Sequence, residues 1–155
     1  MRKLLVLLFA LGFAGVLYAD GPFTGTWKLN VAKSKFASGQ PAPKEETVTV
    51  TENNTTRDVT VNGTDVSGKS STTHFTYPIR GGPVTFLAGG PTDGSTQSVR
   101  RIGPKTVRET TTKDGKKVES ESITVSPDGN TMRIAAEGTS PDGKPFSSVT
   151  VFDKQ

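Results

Sequence analysis

The sequence lacks several features that would point to a particular chemistry. It contains no cysteine, one histidine and one tryptophan in 155 residues. Without cysteine, disulfide bonds and thiolate zinc sites are excluded. There is no Gly-x-Ser-x-Gly elbow, no glycine-rich phosphate loop between a strand and a helix, and no EF-hand spacing. We therefore expect no cofactor and no metal site.

Basic residues are also arranged without a pattern that would suit nucleic acid. They are scattered along the chain, and only Arg100-Arg101 and Lys116-Lys117 are adjacent outside the first residues. No basic stripe alternates with aromatic residues, so nucleic acid is not an expected partner.

Residues 1–19 have the pattern of a Sec-type signal peptide. Arg2 and Lys3 form a basic start, residues 4–17 are mainly apolar, and Ala19 provides a small residue at the expected cleavage point. The apolar run is shorter than the ~20 residues of a membrane-spanning helix, although an uncleaved anchor is the competing interpretation. The pattern predicts export to the periplasm or the extracellular space, with no stable membrane insertion after cleavage.

The remaining residues, 20–155, fit a single domain. Removing Arg2 and Lys3 from the 19 basic residues leaves 17 against 15 acidic ones, a net charge of +2. Apolar residues alternate with Thr and Ser over 47–51, 59–61, 123–125 and 148–151. Val and Thr in strict alternation favour β-strands, and no stretch of this region shows the 3.6-residue apolar period of a long helix.

Asn-Gly and Asp-Gly pairs separate these runs, at Asn62-Gly63, Asp93-Gly94, Asp114-Gly115, Asp128-Gly129 and Asp142-Gly143. Such pairs supply the positive φ angles that tight hairpins need. Ten strands are predicted, over 24–30, 45–52, 56–62, 70–77, 83–87, 97–102, 105–113, 117–126, 130–138 and 146–153. Apart from one helical turn near 31–35, we expect no substantial helix.

The fold class that follows is all-β. Short connections make consecutive strands antiparallel neighbours, which gives an up-and-down meander of about ten strands. A meander of this length with one half-buried face is expected to close into a barrel, because closure removes the exposed edges.

The start of the domain resembles the lipocalins and the fatty-acid-binding proteins. Residues 23–29 read Phe-Thr-Gly-Thr-Trp-Lys-Leu, which resembles the lipocalin Gly-x-Trp signature and the GTWKL opening of the fatty-acid-binding proteins; residues 149–154 resemble their last strand. The GTWKLN start with a later KSKF also resembles small exported bacterial proteins. The resemblance implies a calycin β-barrel in which Gly25, Trp27 and Lys154 are structural residues, with Trp27 at the closed end and Lys154 packed over it.

The sequence departs from the fatty-acid-binding pattern in two places. The segment at 31–44 is too short and too rich in Pro and Gly for the helix-turn-helix lid of that family. Thr150 and Phe152 stand where the resemblance would place the Arg-x-Tyr pair that holds a ligand carboxylate. Fatty-acid binding is therefore not carried over with the fold.

Eight residues in predicted strands are candidates for contact with a ligand. The arginines could pair with an anion and the aromatic residues could line an apolar pocket. The alternative for the arginines is a solvent-facing position beside Glu109, Glu119 or Glu121, and for the aromatics it is an ordinary core position. The candidates are Phe75, Tyr77, Phe86, Arg100, Arg108, Arg133, Phe146 and Phe152.

His74 is the only histidine and the best candidate for a general base, with Tyr77 and Asp65 nearby in sequence. A lone strand histidine is more often a structural or solvated residue than a catalytic one, so no catalytic residue is assigned.

The function that we expect is non-enzymatic binding of a small hydrophobic or amphipathic molecule inside the barrel of an exported protein. This expectation rests on the fold. The alternatives are a structural or interaction barrel whose interior is filled by side chains, and a small barrel enzyme of unknown chemistry. An outer-membrane barrel is disfavoured, because the strands show no continuous apolar outward face and no aromatic girdles.

Overall fold

The computed structural model describes residues 21–155, so the signal peptide predicted at 1–19 lies outside the described residues. The described chain forms eleven strands and one short 3-10 turn at Val31–Lys33. The strands are β1 Gly25–Leu29, β2 Glu45–Glu52, β3 Thr56–Thr64, β4 Ser70–Pro78, β5 Gly81–Pro83, β6 Thr85–Ala88, β7 Thr96–Gly103, β8 Thr106–Lys113, β9 Lys116–Val125, β10 Thr131–Thr139 and β11 Pro145–Lys154. Within 21–155, no helix combines the length and the apolar character that a membrane span requires.

All eleven strands belong to one antiparallel sheet in the order β5-β7-β8-β9-β10-β11-β1-β2-β3-β4-β6. The first strand pairs with both the second and the last, so the two ends of the domain meet in the middle of the sheet. The two edge strands, β5 and β6, are consecutive in the chain and are separated only by Val84, whose N–H donates to the carbonyl of Gln97 at 2.9 Å. The sheet is therefore a nearly closed meander barrel, and the expected all-β architecture is confirmed.

The strand predicted at 83–87 differs from the observed structure. In its place the chain forms two short strands, β5 beside β7 and β6 beside β4. Gly81 and Gly82 have φ angles of +98° and +153°, and a Cβ at Gly81 would lie 2.7 Å from the carbonyl oxygen of Val99. These glycines let the chain cross from one edge of the barrel to the other and return, which makes eleven strands instead of ten.

The four Asp-Gly pairs of the predicted turns lie between strands, as expected, and the glycine of each has a positive φ angle. The prediction of a turn at Asn62-Gly63 is wrong, because both residues lie inside β3 without a positive φ angle and the chain turns at 65–69 instead. Asp114 and Gly115 have φ angles of +50° and +74° and close the two-residue hairpin between β8 and β9. A positive φ at both positions gives the turn a twist that matches the right-handed twist of the strands. In the next turn, the hydroxyl of Ser126 donates to Asp128 at 2.5 Å and the N–H of Gly129 donates to the Ser126 carbonyl at 3.0 Å.

Trp27 belongs to the main apolar core and is fully buried. Its indole N–H donates to the carbonyl of Phe23 at 2.8 Å, which satisfies the polar atom of an otherwise apolar side chain. Phe152 and Val125 are the other large side chains that are completely buried.

Candidate functional site

A cavity of about 290 Å³ lies inside the barrel. Most of its wall is apolar, and the apolar lining residues are Phe23, Val48, Val50, Val59, Val61, Phe75, Phe86, Ile123, Met132 and Ile134. The polar lining residues are Glu46, Arg57, Thr73, Tyr77, Gln97, Glu109, Glu119 and Glu121. An apolar enclosure with a few polar groups is the usual form of a small-molecule site, and this one is near the lower size limit of such sites.

The apolar wall follows from strand alternation and register. Val48 and Val50 on β2 are the cross-strand partners of Val61 and Val59 on β3, so four valines form one patch. Phe75 on β4 continues this patch as the partner of Val59. Successive side chains of a strand point to opposite faces, so the intervening Thr residues of these strands face away from the cavity.

Aromatic side chains extend the patch across β4 and β6. The rings of Phe75 and Phe86 have centroids 5.6 Å apart in a tilted arrangement, and the ring of Tyr77 stacks 6.3 Å from that of Phe75. Aromatic pairs at these separations are favourable beyond the area that they bury. The result is a continuous apolar surface over β2, β3, β4 and β6.

Arg57 is the one cation that lines the cavity, and its charge is already paired. One terminal nitrogen of its guanidinium lies 2.6 Å from a carboxylate oxygen of Glu52, and Nε donates to the same oxygen at 2.8 Å. The other terminal nitrogen donates to the hydroxyl of Tyr77 at 2.9 Å, and Cζ lies 4.2 Å from the centre of the Phe23 ring. The side chain is 5% exposed, so it acts as a fixed structural group of the wall.

The opposite part of the wall is acidic. Glu109 on β8 and Glu121 on β9 are directly opposite each other in register, and Glu119 lies two residues before Glu121 on the same face. Glu46 on β2 also reaches the cavity. Glu109 is 8% exposed, and within residues 21–155 none of these four carboxyl groups has a hydrogen-bond or ion-pair partner.

Their environment makes these carboxyl groups weaker acids than exposed glutamates. Burial, with a contribution from the charge of Glu119, raises the pKa of Glu109 to about 7. Burial, with repulsion from Glu109, Glu119 and Glu46, raises the pKa of Glu121 to about 8. Burial also raises the pKa of Glu46 and of Glu119. Desolvation and like charges both disfavour the ionised form, so these carboxyl groups keep their protons to a higher pH than an exposed glutamate does.

Three of the aromatic candidates from the sequence, Phe75, Tyr77 and Phe86, line the cavity together. Phe152 is 1% exposed in the main core and does not line the cavity. Phe146 lies opposite Gly138 in register and borders a separate recess between β9, β10 and β11.

The three arginine candidates are placed elsewhere. Arg100 and Arg108 are cross-strand partners, and Arg133 is the partner of Thr124. All three are exposed, and none lines the cavity. Arg108 stands between Val107 and Glu109, which are both buried, so strand alternation turns it to the other face of the sheet.

Sequence reasoning missed the acidic wall and Arg57 as site residues. A signal for part of the wall was present, because the alternation that buries Ile123 and Val125 extends backwards through Glu121 and Glu119. Glutamates at inward positions break the expected apolar pattern, and such a break often marks a functional position.

His74 lies on the outer face of β4. Its Nε2 is 2.9 Å from a carboxylate oxygen of Asp58, and the imidazole does not line the cavity. Asp65 accepts hydrogen bonds from the backbone N–H groups of Ser67 and Lys69 and so stabilises a turn. The structure thus gives His74, for which no catalytic role is assigned, a different neighbour from the Tyr77 and Asp65 that are close to it in sequence.

Gly25, Trp27 and Lys154 lie close together on β1 and β11. Trp27 and Lys154 are partners in the β1–β11 register, and the Lys154 ammonium lies 5.2 Å from the centre of the indole ring. Gly25 has a φ angle of +132°, and a Cβ there would lie 2.8 Å from Cε of Lys154. The absence of a side chain at Gly25 gives the lysine stem room to reach the tryptophan.

The side chains of residues 21–155 include no group of three His, Asp or Glu that is arranged to hold a metal ion.

Comparisons with known proteins give structural but not sequence matches. No family model matches the sequence, and no curated protein matches it. The zebrafish ileal bile acid-binding protein, solved in complex with cholic acid, matches with a TM-score of 0.52 at 11% identity over 86% of this chain and 99% of that chain.

Two further solved structures match less closely. A redesigned β-barrel bound to DFHBI has a TM-score of 0.45 at 14% identity, over 88% of this chain and 100% of that one. The siderocalin Ex-FABP has a TM-score of 0.41 at 10% identity, over 86% and 71% of the two chains. The strand topology and the match to the zebrafish protein show that this chain shares the barrel fold of that protein.

Proposed function

We propose that this chain is an exported, non-enzymatic protein that binds a small, partly apolar molecule in its barrel cavity. The observation that carries the proposal is the unfilled cavity of about 290 Å³, whose wall is mainly valine, isoleucine and phenylalanine. A ligand that buries 200 Å² of apolar surface there would gain about 5 kcal/mol from the hydrophobic effect, at ~25 cal/mol per Å².

The fold and the placement of the polar residues support this proposal. The zebrafish relative in fold was solved with cholic acid bound, so a barrel of this topology accommodates a small amphipathic molecule in that protein. A binding role without catalysis is supported by His74, which pairs with Asp58 outside the cavity. Export is supported by the signal-peptide pattern of residues 1–19.

The cavity can be tested by filling it. Val61 lines the cavity, whereas Val66 is 63% exposed in the turn after β3. We expect Val61→Phe to abolish binding of 1-octanol, measured by isothermal titration calorimetry, while Val66→Phe leaves it unchanged. If Val61→Phe does not fold, Ile134→Phe on the opposite wall serves the same purpose.

Two results would decide against the proposal. Failure of the unmodified protein to bind any of several short-chain apolar molecules, with no small molecule co-purifying by native mass spectrometry, would favour a structural role. Equal binding by Val61→Phe and Val66→Phe would place the ligand outside the cavity.

Export is tested independently of binding. Expression of the full chain in a bacterial host, followed by fractionation and N-terminal sequencing, should give a periplasmic or secreted product that begins at Asp20. A cytoplasmic product that keeps Met1 would contradict export and leave the binding proposal standing.

A further inference from the structure

We infer that the cavity selects an organic cation, a small apolar molecule that carries a protonated amine. This inference rests on the proposed binding function and specifies the chemical class of the ligand. It depends on the charges that face the cavity, on the burial of Glu109 and on the division of the wall into an apolar and an acidic part.

The charges facing the cavity are predominantly negative. The titratable side chains in the wall are Glu46 on β2, Arg57 on β3, Tyr77 on β4, Glu109 on β8, and Glu119 and Glu121 on β9. The residues that β6, β7 and β10 contribute are uncharged, namely Phe86, Gln97, Met132 and Ile134. Arg57 is neutralised by Glu52, so four carboxyl groups remain without a compensating charge among the described residues.

The environment of Glu109 favours a positively charged ligand in the cavity. Glu109 is 8% exposed, borders the cavity, and has no hydrogen-bond or ion-pair partner within residues 21–155. A buried carboxyl group without a partner is unfavourable, and an ammonium group in the cavity would supply both charge and hydrogen-bond donors. The cross-strand position of Glu121 allows both carboxylates to face the same ammonium.

An anionic ligand does not fit this wall. The only cation there, Arg57, already binds Glu52 at 2.6 Å and the Tyr77 hydroxyl at 2.9 Å. A ligand carboxylate would therefore meet carboxyl groups without gaining an unpaired cation. A site that holds the carboxylate of a fatty acid requires the opposite arrangement, with an unpaired cation in place of the carboxyl groups.

An organic cation suits the wall better than a metal ion. Within the described residues, no three carboxylate or imidazole groups are positioned to ligate one ion. The wall opposite Glu109 and Glu121, formed by Val48, Val59 and Phe75, is apolar and would cover the hydrocarbon part of an amine. Both parts of the wall are used only if the ligand is amphipathic.

The protonation of the glutamates makes binding dependent on pH. Glu109 and Glu121 titrate near pH 7 and 8 in the empty cavity, and a bound cation would favour their ionised forms. A primary alkylamine remains protonated up to about pH 10, as the lysine side chain does. Binding should therefore strengthen from pH 5.5 to pH 8.5 and should release protons near neutral pH.

A matched set of three probes tests the inference. Octylamine, 1-octanol and octanoate share one hydrocarbon chain and differ in the charge of the head group. By calorimetry at pH 8, we expect octylamine to bind at least about tenfold more tightly than octanol, and octanoate to bind most weakly. Titrations in two buffers of different ionisation enthalpy should detect proton release with octylamine but not with octanol.

Variants of the acidic wall test whether its glutamates cause the preference for octylamine over octanol. Glu109→Gln and Glu121→Gln should each weaken octylamine binding about tenfold at pH 8, and the ratio of octylamine affinity to octanol affinity should fall with it. Glu137→Gln is the control, since Glu137 is exposed on β10 and does not line the cavity. If one glutamine variant does not fold, the other and the pH dependence of the unmodified protein still decide the question.

The possible outcomes separate this inference from the proposed function. Octanol binding as tightly as octylamine would overturn the inference and support the binding function. Binding of none of the three probes would overturn both. Binding of Ca²⁺ or Mg²⁺ that is lost in Glu109→Gln, with no binding of octylamine, would make the wall a metal site and overturn the inference.

Discussion

Glu109 on β8 is the direct cross-strand partner of Glu121 on β9, and both side chains border the same cavity. Like charges that lie opposite each other in a sheet are destabilising when both are ionised. Burial raises both pKa values, to about 7 for Glu109 and about 8 for Glu121, so the folded protein relieves part of the repulsion by retaining protons.

The first prediction is that the empty protein becomes less stable as the pH rises from 5 to 9. Above pH 5 the unfolded chain has released most of the protons of these glutamates, whose usual pKa is 4.5, while the folded chain retains them up to about pH 7 at Glu109 and about pH 8 at Glu121. Because the folded state binds more protons, the free energy of unfolding falls with increasing pH, by up to about 1.4 kcal/mol per pH unit for each retained proton. Urea denaturation at a series of pH values measures this slope.

Substitution of Glu121 should remove its contribution to the fall of the unfolding free energy with increasing pH. We expect Glu121→Gln to raise the free energy of unfolding at pH 8.5 by about 1–3 kcal/mol and to change it little at pH 5, because glutamine resembles the protonated acid. The exposed Glu137→Gln should have no effect at either pH. A free energy of unfolding that rises between pH 5 and 9, or an equal effect of the two variants, would contradict the assignment.

The second prediction concerns the buried ion pair. Removal of the guanidinium in Arg57→Met leaves Glu52, whose side chain is 15% exposed, without its partner and leaves the Tyr77 hydroxyl without its donor. Breaking a buried pair from one side costs about 3–5 kcal/mol of unfolding free energy. Chemical denaturation followed by far-UV circular dichroism measures the loss.

A double-mutant cycle with Glu52→Gln separates the pair interaction from the packing of the arginine stem. We expect the double variant to lose less than the sum of the two single variants. Lys144→Ala is the control, because Lys144 forms an ion pair with Asp142 at 80% side-chain exposure and should change stability by less than about 0.5 kcal/mol. Additive effects of Arg57→Met and Glu52→Gln would show that the pair contributes no coupling.

Local sequence patterns predicted most of the fold. The Val-Thr alternation of β2 and β3 gave the inward face directly, and Asp114-Gly115 gave the hairpin between β8 and β9. The exception was the segment at 81–88, where the chain changes strand partners. Gly81-Gly82 signalled a break, but the identity of the new partner depends on Val99, which lies far away in sequence.

The site was less predictable, because its residues are defined by register between strands. The placement of Arg108 could have been read from its buried neighbours, Val107 and Glu109. The pairing of Arg57 with Glu52 and Tyr77 needed the β2–β3 and β3–β4 registers. Sequence alone likewise could not show that Glu46 on β2 contributes to the same wall as Glu121 on β9.

The third prediction is that Trp27→Phe is strongly destabilising. The substitution removes the indole N–H that donates to the carbonyl of Phe23, and it leaves space at a fully buried position. An unsatisfied buried carbonyl costs about 1–3 kcal/mol, and the lost volume adds to this. The exposed Val66→Ala, by contrast, should be nearly neutral. If Trp27→Phe lowers the free energy of unfolding by less than about 1 kcal/mol, measured by circular dichroism, the core around position 27 repacks freely.

The last prediction separates two reasons for glycine at position 25. Its φ angle of +132° disfavours any side chain, and an added Cβ would also lie 2.8 Å from Cε of Lys154. Backbone strain of this kind costs about 1–3 kcal/mol, so Gly25→Ala should destabilise by at least that amount. In a Lys154→Ala background the steric contact is absent, and the remaining cost of Gly25→Ala measures the backbone strain alone. Gly103→Ala is the control, since a Cβ there meets no atom within 4 Å and its φ is not positive. Equal costs of Gly25→Ala in both backgrounds would show that Lys154 simply moves aside and that the backbone alone requires glycine.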